Sequence, residues 1–249
     1  MLNNLASILG DWFNPQFRSS VWVYTEGLTV RGLASVRDRC GPSAWEINRL
    51  LVGEDDRYSC LRLLEYLSSV GGELEIGRIF LRLPAESPLL RVAEETGFLH
   101  YSTEHLYWRG SSEDGEPRSE AASASSPRRK RVDDEYRLFE LYLKCVPAHV
   151  RRVEGMTFKE WQSNRDRSVG QEWVFEKDGG LVGWVAVNNS RSLGQLDMIA
   201  ATRGEMENVV NYGLTCLSGS GHLYCLAPDF EVALLRLLED RGFSRVTTY

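Results

Sequence analysis

Apolar and polar residues alternate over 21–24 and 28–36, and they do so again over 172–175 and 181–187. A period of two marks half-buried strands. Glu26-Gly27 and Asp178-Gly179-Gly180 supply turn residues that join each pair as an antiparallel hairpin. A third strand is predicted over 44–52 and over 195–200. The period then becomes helical: 59–69 carries Leu61, Leu64 and Leu67 on one face, and 205–218 carries Val209, Val210, Leu214 and Leu217. Further strands follow at 75–83 and 222–227. A last helix in each half has clear ends, with Ser87 and Pro88 ahead of Gly97, and Asp229 ahead of Gly242.

These halves are copies of one unit. Trp22-Val23-Tyr24 and Trp173-Val174-Phe175 stand 151 positions apart, as do Gly32 and Gly183, and Trp45-Glu46-Ile47 and Leu196-Asp197-Met198. Near the ends, 89–98 and 234–243 agree at Leu, Leu, Arg, Glu, Gly and Phe, with the offset reduced to 145. Agreement in order, spacing and residue type predicts duplicated domains, each β-β-β-α-β-α-β. Between them, 110–134 is rich in Ser, Ala, Pro and charge and reads as a flexible linker. The predicted division is therefore 1–109, linker 110–134, and 135–249. The first unit lacks opening helices. The second has them, with Leu138, Leu141, Tyr142 and Cys145 at helical spacing, Pro147 as a stop, and a capping box at Thr157 and Glu160. That inequality predicts sheets that complete one another, with 101–109 serving more than its own unit.

The strand and helix order, together with the endings Glu94-Glu95-Thr96-Gly97-Phe98 and Glu239-Asp240-Arg241-Gly242-Phe243, resembles the GNAT superfamily of acyl-CoA-dependent N-acyltransferases. The resemblance implies an α+β fold of two GNAT-like units in tandem, each a mostly antiparallel sheet flanked by helices. It also implies a loop after the third strand that holds the CoA diphosphate on free amides at a helix start, a place that favours an anion. Here that loop falls at 52–60 and at 199–206, which makes Arg57, Tyr58, Ser59, Arg203 and Gly204 the candidate cofactor-binding residues. The family's G-x-G/A element is absent from both loops, and Glu54, Asp55 and Asp56 place three negative charges in the first. The family's general-acid tyrosine is replaced by Ala93 and Leu238. A general base on the third strand would be Glu46 or Asp197.

Charge and cysteines narrow the partners. A net charge of -6 opposes any broad grip on a phosphate backbone, so no nucleic acid is expected. No apolar run approaches the ~20 residues of a membrane span, and 1–14 has no secretory character. Five cysteines, with no C-x-x-C pair and no histidine at ligand spacing, predict reduced cytoplasmic thiols and no metal. Arg128-Arg129-Lys130-Arg131, flanked by acids, reads as a solvated charge run. Two readings of function stay open. In one, the protein is an N-acyltransferase of a small-molecule amine, using acetyl-CoA or another acyl-CoA bound by the second unit. In the other, it is a non-catalytic binding or scaffolding protein of the same fold.

Overall fold

The computed structural model describes residues 19–39, 43–53, 56–110, 126–165, 170–190 and 192–249. Cys40, Glu54, Asp55 and most of the predicted linker, 111–125, lie outside them. The chain divides into two compact units. The first runs up to His100 and takes in Gln162–Asp166; the second begins at Tyr101 and holds the rest.

In the first unit the repeat's opening hairpin is β1 (Ser19–Glu26) and β2 (Thr29–Asp38), followed by β3 (Ala44–Val52), α1 (Arg57–Glu73), β4 (Arg78–Leu81) and α2 (Leu89–Glu95). Gly27, at φ 61°, makes the hairpin turn in a conformation that costs glycine nothing. The sheet order is β1-β2-β3-β4, antiparallel except for β3 with β4. Alternation along β2 and β3 turns Ala34, Val36, Trp45 and Ile47 to one face, where Leu63, Leu64 and Leu67 of α1 and Val92 of α2 cover them.

The second unit contains β5 (Glu104–Arg109), β6 (Ser126–Arg129), α3 (Glu135–Cys145), α4 (Ala148–Glu154), the start of α5 (Phe158–Asn164, which passes into the first unit at Gln162), β7 (Gln171–Lys177), β8 (Gly180–Ser190), β9 (Leu193–Ala200), α6 (Arg203–Cys216), β10 (His222–Pro228), α7 (Val232–Asp240) and β11 (Ser244–Thr248). Its sheet runs β11-β5-β10-β9-β8-β7-β6. Among the described residues of this sheet only β9 and β10 are parallel, as expected where a helix crosses over between neighbours. One face is covered by α6 and α7, with Val209, Val210, Leu214, Leu234 and Leu238 buried on it. The helices that open the unit cover the other face, where Phe139 and Tyr142 meet Trp161 and Trp184. The sheet therefore has two apolar sides, which is why its strands are more uniformly hydrophobic than those of the first unit.

Two boundaries differ from the sequence reading. The strand at 104–109 lies beyond the predicted division at 109 in where it pairs, as expected of a segment that serves more than its own unit: it pairs on both sides within the second, with Tyr107 opposite Cys225 of β10 and opposite Arg245 of β11. Its alternation sets which side chains face a core, but any antiparallel edge of suitable polarity satisfies it, so local pattern does not choose the sheet. The linker also ends sooner than 134. Residues 126–129 form β6, and a 3-10 turn spans Val132–Asp134.

The basic run is not free either. Arg128 donates from Nη1 to Asp134 Oδ2 at 2.6 Å and from Nη2 to Asp134 Oδ1 at 2.7 Å, and it reaches Glu176 Oε1 at 2.7 Å. Arg129 lies over the Trp173 ring at 4.2 Å. The carboxylate of Glu176 is far away in sequence, so spacing gives no hint of it. The Arg128 hydrogen bonds, and then the Arg131 amide, hold the buried Asp134 carboxyl down at about 2. An unfolded aspartate titrates near ~3.9, so the clamp contributes about 2 kcal/mol above pH ~4 and loses it as the pH falls toward about 2. Asp134→Asn should lower stability at pH 7 by about that amount and flatten the acid limb between pH ~4 and ~2, read by urea melts at each pH.

Among the described residues no helix is long and apolar enough to cross a membrane, and no group of His, Cys, Asp and Glu could hold a metal ion.

Candidate acyl-CoA sites

Each unit presents the same local device, a parallel pair of strands followed by a helix start. In the second unit, β9 and β10 pair only from Leu193 with His222 to Leu196 with Cys225. Beyond that, β9 continues against β8 to Ala200 and β10 continues against β5 to Pro228, so the two strands part while each keeps its outer neighbour. The parting leaves an opening in the sheet, and α6 starts directly beyond β9.

At that start Thr202 is the N-cap, its hydroxyl accepting from the Glu205 amide at 3.3 Å. A neutral cap satisfies one amide and adds no charge. Arg203 and Gly204 are exposed, and a Cβ on Gly204 would meet nothing within 4 Å, so the backbone there is open to solvent. Glu205, the acid of the first turn, is buried with Oε1 3.5 Å from Lys177 Nζ. The helix is held close to the sheet by glycine: a Cβ on Gly183 would come within 2.6 Å of Val209, and one on Gly213 within 2.7 Å of Leu196. Such close packing fixes where the helix start lies relative to the opening.

The first unit treats the same point differently. Asp56 caps α1, accepting from the Ser59 amide at 3.0 Å through Oδ1 and from the Ser59 hydroxyl at 2.7 Å through Oδ2. Those hydrogen bonds lower its pKa and keep it ionised. A carboxylate thus already occupies the position that a phosphate would take. Arg57 points its charge to Glu95 at 3.2 Å, and Tyr58 and Ser59 line a cleft of about 580 Å³ with Tyr24, Glu26, Arg31 and Asp56. Arg31 is engaged by Glu26 at 2.9 Å. The cleft has the shape of a site, and its charge repels a diphosphate.

The two third-strand acids also part company. Glu46 is 6% exposed and paired with Arg37 at 2.6 Å and Arg82 at 3.5 Å. Burial alone would raise its pKa, but the pull of Arg37, with Arg39 and Arg82 behind it, leaves the carboxyl lowered, which weakens it as a base. Asp197 occupies the matching place in the repeat but is exposed, opposite Ala186 on β8. Ala93 and Leu238, where the tyrosine was looked for, are both packed in apolar cores.

Sequence reasoning passed over the opposite wall of the second site. Cys145, at the end of α3, donates its thiol to the Ala200 carbonyl at 3.3 Å, which ties that helix to the end of β9. Burial, and then Glu231, push its thiol up to about 11, so it is not a nucleophile at neutral pH. Its helical spacing with Leu138 and Leu141 marked only an apolar face, and nothing local distinguishes a thiol in a core from a thiol beside a site.

Comparison with known proteins agrees with this architecture. No protein-family model and no curated protein matches the sequence. Among solved structures, a GCN5-related N-acetyltransferase from Sphaerobacter thermophilus superposes with TM-score 0.60 at 15% identity, over 98% of this chain and 83% of that one. A tandem GNAT protein from the clavulanic acid biosynthesis pathway, solved without AcCoA, gives TM-score 0.55 at 15% identity, over 94% and 82%. A functionally unknown conserved protein from Staphylococcus epidermidis gives 0.61 at 11%, over 91% and 92%. The chain has a tandem GNAT fold.

Proposed function

We propose that the protein is an acyl-CoA-dependent N-acyltransferase acting on a small amine, with acetyl-CoA or another acyl-CoA held by the second unit only. The observation that carries this reading is the contrast between the two helix starts. That of α6 has a neutral cap, an exposed Arg203 and an open Gly204, whereas that of α1 is already capped by the Asp56 carboxylate. Arg203 and the first amides of α6 fit a diphosphate, and Arg57, Tyr58 and Ser59 do not. Bound acyl-CoA supplies an activated acyl thioester; the chain's own task is to hold it and to bring an amine up to it. Asp197, exposed on β9, is the proton acceptor this reading assigns. Work in the cytoplasm, on a small molecule rather than on nucleic acid or a membrane, belongs to the same proposal. It draws on the acidic net charge and on Cys60, Cys145, Cys216 and Cys225 being free thiols.

A second reading, a non-catalytic binding or scaffolding protein, is favoured by one observation: Leu238 is fully buried where a proton donor to the departing thiolate would stand. Calorimetric titration with acetyl-CoA separates the two. Saturation near one equivalent per chain supports the transferase, and no heat and no thermal shift up to millimolar ligand leaves the scaffold.

A further inference from the structure

The cleft of the first unit repels a diphosphate, but its walls suit another ligand. It is built where the tip of the β1–β2 hairpin meets the start of α1. Gly32 pairs with Val52 at the end of β3, and a Cβ on Gly32 would come 2.9 Å from Leu63, so the missing side chain lets α1 lie close against the hairpin. Tyr24, Glu26, Val30 and Arg31 from the hairpin, and Asp56 and Tyr58 from the helix start, therefore line one space of about 580 Å³, within the ~300–1,000 Å³ usual for a small-molecule site. The rings of Tyr24 and Tyr58 stand 6.2 Å apart at 71°, edge to face, which leaves ring face open where a stack would cover it. Tyr58 is 63% exposed and Val30 62%, so the walls carry apolar surface within reach of a ligand.

The charges on those walls do not balance. Arg31 turns both Nε and Nη2 to Oε2 of Glu26, each at 2.9 Å, so its charge is spent there and the second oxygen of Glu26 is not taken by the pair. Asp56 is ionised, because the hydrogen bonds from Ser59 stabilise its carboxylate and lower its pKa. Each of its oxygens accepts one bond from Ser59 and keeps a further lone pair. The start of α1 contributes about +0.5 of a charge, which the full charge of Asp56 exceeds. A cation is thus drawn by carboxylates and by aromatic faces together. Among the described residues no group of His, Cys, Asp and Glu could hold a metal ion, and the space is far larger than a single ion fills. We infer that this cleft binds a small organic ammonium ion with an apolar body, the ammonium held by Asp56 and Glu26 and the body lying against Tyr24, Tyr58 and Val30. This site is separate from the acyl-CoA site proposed in the second unit, and binding there needs neither CoA nor catalysis.

The test titrates the full chain calorimetrically with phenethylamine, with 2-phenylethanol, which has the same body without the charge, and with phenylacetate, which reverses the charge. Expected are saturation near one equivalent by the amine, about tenfold weaker binding of the alcohol, and none of phenylacetate. Three substitutions locate the ligand. Asp56→Asn removes the charge and keeps a good helix cap, and Tyr58→Leu removes the ring and keeps an apolar side chain; each should weaken the amine about five- to tenfold. Arg31→Gln should instead tighten it about threefold, because it releases Glu26 and takes a competing cation out of the cleft, an effect that a purely structural role of Arg31 would not produce. All three should leave acetyl-CoA affinity within about twofold, as distant sites act independently. Equal binding of amine and alcohol, or no amine bound at about 10 mM, would overturn the inference. So would undiminished binding to Asp56→Asn and Tyr58→Leu, which would put the amine elsewhere and leave the transferase reading standing. Amine binding that these two substitutions weaken, with no acetyl-CoA bound, would keep the inference and remove the transferase.

Discussion

A fragment beginning at Ser126 will fail to fold, and one beginning at Tyr101 will fold. The longer fragment keeps β5, which pairs along its whole length, Glu104–Arg109, with β10 and from His105 to Trp108 with β11. Without it, β11 has no neighbour at all, and β10 presents an open ladder in the middle of what was a closed stretch of sheet. Tyr107 is the costliest single loss. It is 1% exposed, packed among the residues under α6 and α7, and its hydroxyl donates to Glu239 at 2.9 Å. Burying a side chain of this size contributes about 2–3 kcal/mol. Each buried backbone group left unpaired on β10 costs about 1–3 kcal/mol more. A few of these together reach the ~5–15 kcal/mol that holds a whole domain. Cooperative thermal melts followed by far-ultraviolet circular dichroism decide it: a two-state melt for 101–249 and none for 126–249. Restoration of the melt by a synthetic peptide of residues 101–110 would locate the effect in the strand itself. A shorter fragment that melted like the longer one would show that the pairing of β5 contributes little.

Arg203→Glu will abolish acetyl-CoA binding at accessible concentrations, while Arg57→Glu will change it less than about threefold. A charged hydrogen bond to phosphate is worth about 1.5–3 kcal/mol, and reversing the charge adds repulsion, so a loss of about 3 kcal/mol or roughly 100-fold is expected. Arg57 is engaged by Glu95, and its neighbour Asp56 already fills the helix start, so reversing it removes nothing that a diphosphate uses. The control is built into the helix. A cation in the first turn opposes the helix dipole, so Arg203→Glu should leave the free protein as stable as the wild type or slightly more stable. Loss of binding with an unchanged melting temperature is therefore the signature. Equal losses from both substitutions would contradict the assignment of the site to the second unit. Raising the salt should weaken wild-type binding more than that of Arg203→Glu, because the exposed charge is screened.

The repeat made the fold legible. Trp22-Val23-Tyr24 against Trp173-Val174-Phe175, and the paired endings at Gly97-Phe98 and Gly242-Phe243, carry enough periodicity to place every strand and helix of the shared unit. The amphipathic spacing of Leu138, Leu141, Tyr142 and Cys145 placed the second unit's opening helix as well. The loops after β3 and β9 were found by position in the repeat, and the acidity of the first is visible in its letters.

What the letters left open depends on contacts between residues far apart in the chain. Glu46 and Asp197 are equivalent in the repeat, yet one is clamped by Arg37 and Arg82 and the other is exposed, because the arginines come from β2 and from the residue after β4, whose placement beside Glu46 no local pattern encodes. Arg128 looked solvated until Asp134 and Glu176 were brought to it. Sequence by itself determined two copies of one α+β unit, their element order and the position in each of the loop that follows the third strand. Tertiary structure alone decided that β5 pairs on both sides within the second sheet, between β10 and β11, and which helix start is already filled by a carboxylate. Periodicity reports the direction in which a side chain points, whereas pairing and burial depend on what the rest of the chain places in front of it.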